Sequence, residues 1–126
     1  SLQPTFVARG STTDIPQMTR ILKAALQHRG FAFVDLLQAC PTWNKFATHA
    51  YLLEHCKEVK NHDTSDFVKA RQLAVDTSKT IATGVLYQRE DIPSFYERLI
   101  PRQGVITTAV EEVAILDITK LMEVFV

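Results

Sequence analysis

Cysteine is scarce in this sequence: Cys40 and Cys56 are the two present. Two thiols do not make a disulfide framework. A reducing, cytoplasmic setting is therefore the expectation, with the thiols kept for packing or for metal. Net charge is missing as well. Fourteen basic residues balance fourteen acidic ones, which leaves no electrostatic argument for nucleic acid or an anionic membrane. No apolar run approaches the ~20 residues of a membrane span. The opening Ser1–Gly10 lacks the apolar core of a signal peptide. Glycine-rich phosphate loops, GxSxG and HExxH are all absent, which removes three common catalytic frameworks. So is an initiator Met: Ser1-Leu2 leads directly into strand-like sequence, which reads as a trimmed chain.

What is there suits one soluble domain. The 126 residues are 46% hydrophobic and 22% charged, enough for a modest core. Thr5–Arg9 reads as a short strand and Gly10-Ser-Thr-Thr as a polar turn. Asp14 is a good N-cap, and Pro16 sits in the first turn, where its missing N–H costs nothing. Met18, Ile21, Leu22, Ala25 and Leu26 then repeat as one apolar helix face. That stripe reads as core rather than as a partner groove. Gly30 ends the helix after the basic His28-Arg29 pair, which suits the negative end of the helix dipole. Phe31-Ala-Phe-Val-Asp-Leu-Leu-Gln-Ala-Cys40 follows, apolar on both alternating faces. Such a strand is expected to be buried on both sides, in a parallel sheet covered by helices. Strand, helix and strand within this span form a βαβ unit.

Beyond it the signals are shorter. Phe46, Ala50 and Leu53 predict a helix over Lys45–Val59, and Asn61–Asp66 a polar turn offering several caps. Phe67, Ala70, Leu73 and Ala74 predict another helix, and Thr80–Tyr87 a strand. Gln88–Pro93 reads as a polar break and 93–99 as one or two helical turns. Residues 104–113 are β-rich by propensity, and Asp117 caps a final helix carrying Ile118, Leu121, Met122 and Phe125.

In open α/β sheets, ligands sit beyond the carboxyl ends of strands. Cys40 stands at that end of the best strand, followed by Pro41, which stiffens the loop, Trp43, which can shield a site from water, and Asn44, which offers a donor and an acceptor. A thiolate there could be a cluster ligand or a nucleophile. A lone cysteine at a strand end is also, and more commonly, a small buried hydrophobe.

The residues in order resemble a known family. Phe6-Val-Ala-Arg9, Asp14, His28-Arg29-Gly30-Phe31-Ala32 and Asp35-Leu-Leu-Gln-Ala-Cys40-Pro-Thr-Trp-Asn44 resemble the later part of the thiamine-diphosphate (beta) subunit of 2-oxoacid:ferredoxin oxidoreductases, with its FVAR, HKGFA and CPTFN motifs. His62-Asp63 with Asp66, Thr83-Gly-Val-Leu-Tyr87 and Pro93-Ser-Phe-Tyr-Glu97 are similar to the family's HDPTD, IGIFY and PTYEE stretches. The resemblance spans residues 5–97, with Trp43 in place of the usual Phe and Thr80-Ile-Ala-Thr in place of a PIG-like strand entry. It implies an α/β chain: a partial thiamine-diphosphate-binding fold, with the terminal βαβ part in 1–44 and a mixed helical and short-strand extension in 45–126. It implies an enzyme that oxidatively decarboxylates a 2-oxo acid to an acyl-CoA, using thiamine diphosphate with Mg2+ and passing electrons through a [4Fe-4S] cluster to ferredoxin. Partners would be an alpha subunit, ferredoxin, coenzyme A and the 2-oxo acid. Cys40 occupies the place of the fourth cluster ligand. The family's GDG segment and its earlier cysteines are absent here, so the chain alone is expected to bind no cofactor and to be inactive. Two copies could pair through an orphaned sheet edge. The alternative class is a stand-alone, non-catalytic α/β interaction or regulatory domain.

Other residues invite functional readings beside plainer ones. His49, His55, Cys56 and His62 raise zinc, but positions 49 and 55 do not share a helix face and 55 and 56 point apart. His62-Asp63 reads as an acid–base pair or, more commonly, as a helix entry with Asp63 or Asp66 capping. Asp35 in an apolar strand needs a partner, either a neighbouring loop or the cofactor end of the sheet. Arg9 meets an anion, meets a partner subunit, or serves as a surface or capping residue.

Overall fold

The computed structural model describes residues 4–102, 104, 105 and 111. The elements run β1 (Phe6–Ser11), α1 (Ile15–Gln27), β2 (Ala32–Leu37), α2 (His49–His55), β3 (Cys56–Glu58), α3 (Phe67–Val75), β4 (Ile81–Gln88) and α4 (Phe95–Arg98), with a 3-10 turn at Ile100–Arg102. The chain divides into units Ser1–Phe95 and Tyr96–Val126, and the sheet lies in the first. Of the β-rich reading for 104–113, residues 106–110, 112 and 113 fall outside the described residues, as does the final helix after Asp117. Among the described residues no helix is long and apolar enough to cross a membrane.

The βαβ unit forms where the sequence places it. Asp14 caps α1, its carboxylate accepting the Gln17 N–H at 2.9 Å, with Pro16 in the first turn. β1 and β2 pair in parallel from Phe6↔Ala32 to Ser11↔Leu37. Helix α1 packs Ile21 onto Phe6 and Ala8, flanked by Ala24, Ala25, Ala32, Val34 and Val85. The small alanines let helix and sheet approach closely. Burial of Phe6 and Ile21 is worth roughly 1.5–3 kcal/mol each. Gly30 has φ +155, and a Cβ there would strike the Thr5 hydroxyl. That hydroxyl bonds His28 Nε2 at 2.7 Å, so the turn into β2 requires glycine.

The sheet is mixed, in the order β2-β1-β4-β3, rather than all parallel. β4 runs antiparallel to β1, and β3 runs parallel to β4. The register shifts between Val7↔Tyr87 and Ala8↔Val85, so Leu86 is the extra residue of a bulge. The bulge turns Tyr87 to the face away from α1, where its ring meets Phe67 of α3 edge-on at 5.5 Å. α1 and α3 thus cover opposite faces.

Several expectations are corrected. The strand expected over Phe31–Cys40 and buried on both sides is Ala32–Leu37, at the sheet edge, with Phe33 54% and Leu36 44% exposed. Among the described residues only β1 flanks it, and α1 reaches over part of it. The helix expected over Lys45–Val59 is the shorter α2, because Cys56–Glu58 pairs with Ile81–Thr83 as β3. Leu52 is buried there, whereas Leu53 and Phe46 are exposed. Gly10 and Ser11 belong to β1, not to the turn. Leu26, counted in the core stripe, is 87% exposed at the last turn of α1, beyond the sheet.

Candidate functional site around Cys40

β1 and β2 end together at Ser11 and Leu37. The chain leaving β2 reaches Cys40 three residues later and turns at once. The Asn44 N–H donates to the Cys40 carbonyl at 3.0 Å. The Asn44 side-chain oxygen accepts the N–H groups of Phe46 at 3.1 Å and Ala47 at 3.0 Å. Thr48 then caps α2 by accepting the Tyr51 N–H. Each hydrogen bond ties the loop to itself, which fixes the turn around Cys40.

Cys40 is a half-buried free thiol. Backbone hydrogen bonds from Trp43 first and Thr42 second, with a smaller one from Asn44, hold its pKa below that of an ordinary cysteine, against a minor opposing effect of burial. Amides aimed at sulfur stabilise its negative charge, and the thiolate is both the nucleophile and the metal ligand. A cavity of about 500 Å³ lies beside it, lined by Thr12, Gln38, Asn44, Lys45 and His49 among others. Trp43 does not shield this site. It is 90% exposed. Iodoacetamide is therefore expected to alkylate Cys40 with a pH midpoint below the ~8.5 of a free cysteine, as peptide mass spectrometry across pH would read. An ordinary midpoint would mean that the amides do not act on the sulfur.

Residues that the sequence reading missed complete this end of the sheet. Gln17 and Thr83 are buried, and the Gln17 amide donates to the Thr83 hydroxyl at 3.1 Å, linking α1 to β4. Ser11, Gln17 and Thr83 line a small polar cavity of about 200 Å³ with Asp14, Cys56 and Glu58. Gln17 lies four residues before Ile21, so its helical spacing marked it for the buried face.

Arg9 and Asp35 are cross-strand partners in the β1–β2 register. Their ion pair is 2.8 Å long, and the Arg9 side chain is 15% exposed. The same guanidinium donates twice to the Ala74 carbonyl at the end of α3. Arg9 thus serves as a capping residue, tying the β1–β2 pair to the end of α3, and Asp35 finds its partner within the sheet. We expect Arg9→Met to cost about 2 kcal/mol, since hydrogen bonds from a charged group contribute about 1.5–3 kcal/mol. Asp35→Asn should cost less. Urea midpoints of the two variants would measure both effects.

The remaining candidates are dispersed. His55 stacks on Tyr51 at 3.9 Å and bonds its carbonyl. His62 Nε2 meets the Leu86 carbonyl at 3.2 Å. The Asp63 carboxylate accepts the Ser65 hydroxyl and N–H, which hold it below the usual carboxylate range. Asp66 caps α3 by accepting the N–H groups of Val68 and Lys69. The His62–Asp66 turn is therefore built as a helix entry. Among the described residues, no three His, Cys, Asp or Glu side chains gather as a metal site requires.

Residues 40–103 match the family described as the C-terminal part of the pyruvate ferredoxin oxidoreductase beta subunit. The chain is 30% identical to a 2-oxoacid:ferredoxin oxidoreductase subunit beta of Sulfolobus sp, over 75% of this chain and 35% of that protein. It is 34% identical to the 2-oxoacid:ferredoxin oxidoreductase 2 subunit beta of Aeropyrum pernix, with the same coverages. A solved structure of 2-oxoglutarate:ferredoxin oxidoreductase from Magnetococcus marinus, with 2-oxoglutarate, coenzyme A and succinyl-CoA bound, superposes with a TM-score of 0.69 at 28% identity. That likeness covers 90% of this chain and 40% of the other. The chain spans about a third of the length of the curated relatives it matches.

Proposed function

We propose, from the premise that this chain belongs to the family of pyruvate ferredoxin oxidoreductase beta-subunit carboxyl-terminal regions, that it is the carboxyl-terminal part of a 2-oxoacid:ferredoxin oxidoreductase beta subunit and supplies Cys40 as one ligand of its [4Fe-4S] cluster. The relatives are subunits of oxidoreductases. The observation that carries the reading is the Cys40 loop, a thiol under backbone amides beside a cavity at the carboxyl end of the β1–β2 pair. Those residues fit one corner of a cluster. Four thiolates are needed, and the described residues offer no converging set, so the other ligands would come from elsewhere in a longer subunit. When bound, the cluster accepts and passes single electrons. This chain's part is to hold one iron through Cys40, to stabilise the sulfur's charge through the Thr42 and Trp43 amides, and to fix the loop through Asn44.

No described residue cluster fits a diphosphate with Mg2+. Thiamine diphosphate, the 2-oxo acid and coenzyme A are proposed for the longer cytoplasmic enzyme, in complex with an alpha subunit and ferredoxin. On this reading, 1–44 completes the thiamine-diphosphate domain and 45–126 extends from it. The two sheet edges support a larger assembly. β3 has three residues and, among the described residues, no strand on its outer side. β2 has six residues and no proline or lysine, its single charge is matched by Arg9, and it exposes Phe33 and Leu36. In isolation, two copies are expected to meet along β2. Light scattering that showed only monomer would count against this.

The purified chain should show no iron–sulfur absorption band and no oxidation of 2-oxoglutarate with ferredoxin. A band or turnover from the chain alone would overturn the assignment of a partial site.

A further inference from the structure

On the opposite edge of the sheet, β3 and α3 border an open groove of about 950 Å³. Its apolar lining includes Val59, Val68, Val75 and Ala82, and Val68 and Val75 are largely exposed. Its charge is unevenly matched. Glu58 is paired with Arg20 and Lys60, and Lys69 with Asp66. The Asp76 carboxylate accepts the N–H and hydroxyl of Ser78. Lys57 and Arg71 also line the groove, and among the described residues no carboxylate pairs with either. Nothing among the described residues pairs with the outer edge of β3.

We propose that this groove docks an extended, acidic segment of a protein partner. Charge complementarity selects acid: Lys57 and Arg71, both without a carboxylate partner among the described residues, outnumber the one carboxylate in the lining that no described cation pairs, Asp76. The free edge of β3 selects an extended chain, because its backbone groups are satisfied by another strand and not by a small anion. Val68, Arg71 and Val75 lie on one stripe of α3, at i, i+3 and i+7, so the segment meets them with carboxylate and apolar side chains on the same side, at every second position of the extended chain. The inference is independent of Cys40 and of any cluster.

The test is fluorescence anisotropy on the full chain, with a labelled octapeptide in which Glu and Val alternate at every second position with Ser between them, and its counterpart with Lys for Glu. The acidic peptide should bind and the basic one should not. K57Q combined with R71Q should weaken binding about tenfold, the scale of a lost charge pair at an interface, with an unchanged circular dichroism spectrum. L26S, at an exposed position on α1, should leave it unchanged. Equal affinity for the two peptides would overturn the proposal. So would loss of binding in L26S, or displacement by citrate at concentrations equal to the peptide's, which would show a site that reads charge alone. If the double variant unfolds, K57Q alone, expected to weaken binding severalfold, decides in the same way.

Discussion

Cys40→Ser in the full-length beta subunit should reduce 2-oxo acid-dependent ferredoxin reduction by more than about a hundredfold. Loss of a residue that merely orients a metal ligand already costs about 10–100-fold, and Cys40 is proposed as a ligand itself. Serine preserves the size of the side chain and the amide contacts from Thr42 and Trp43, so the loop should keep its shape while losing the thiolate. Cys56→Ser is the matched control. Cys56 begins β3 as a half-buried free thiol whose backbone pairs with Ile81, and its removal should leave turnover little changed. Steady-state assays of the two variants separate the roles. Equal losses would mean that the site has been misplaced within the fold.

Phe6→Ala should be the most damaging core substitution. Phe6 is fully buried, and it holds Ile21 of α1, Val34 of β2 and Val85 of β4 in one cluster. Its ring also lies 5.3 Å from His28. Truncating a buried Phe costs about 3–5 kcal/mol, a large part of the roughly 5–15 kcal/mol typical of a domain. The melting temperature should fall by more than about 10 °C. Leu26→Ala is the informative comparison. It belongs to the same helical stripe by spacing yet is mostly exposed, so its cost should stay within about 0.5 kcal/mol. Differential scanning calorimetry of both variants tests the layer geometry. Similar costs would place Leu26 in the core and contradict the fold.

The βαβ unit was legible because its signals are local. Asp14, Pro16, the spacing of Ile21 and the glycine at 30 act through backbone geometry within a few residues. The Cys40 loop was legible by position, at a strand end, and more sharply by its ordered resemblance to a known family. What could not be read depended on distant pairing. Cys56-Lys57-Glu58 continues a plausible helical pattern, and only its pairing with β4 makes it a strand. Gly84, at φ +108 in the same strand, is a local hint of the bulge at Leu86, but it does not say which helix Tyr87 then meets. β2 reads as doubly buried because both faces are apolar, but its surroundings depend on what flanks it. Arg9 and Asp35 each carried several readings until the β1–β2 register put them opposite one another.

Cys40 is proposed to hold iron in the longer subunit. Iron analysis with electron paramagnetic resonance on the reduced full-length enzyme addresses it directly. The unaltered subunit should carry about four iron atoms per cluster, and Cys56→Ala should match it. Cys40→Ala should lose one iron to give a three-iron signal, or lose the cluster altogether. A Cys40→Ala subunit with full iron content and an unchanged spectrum would contradict the account.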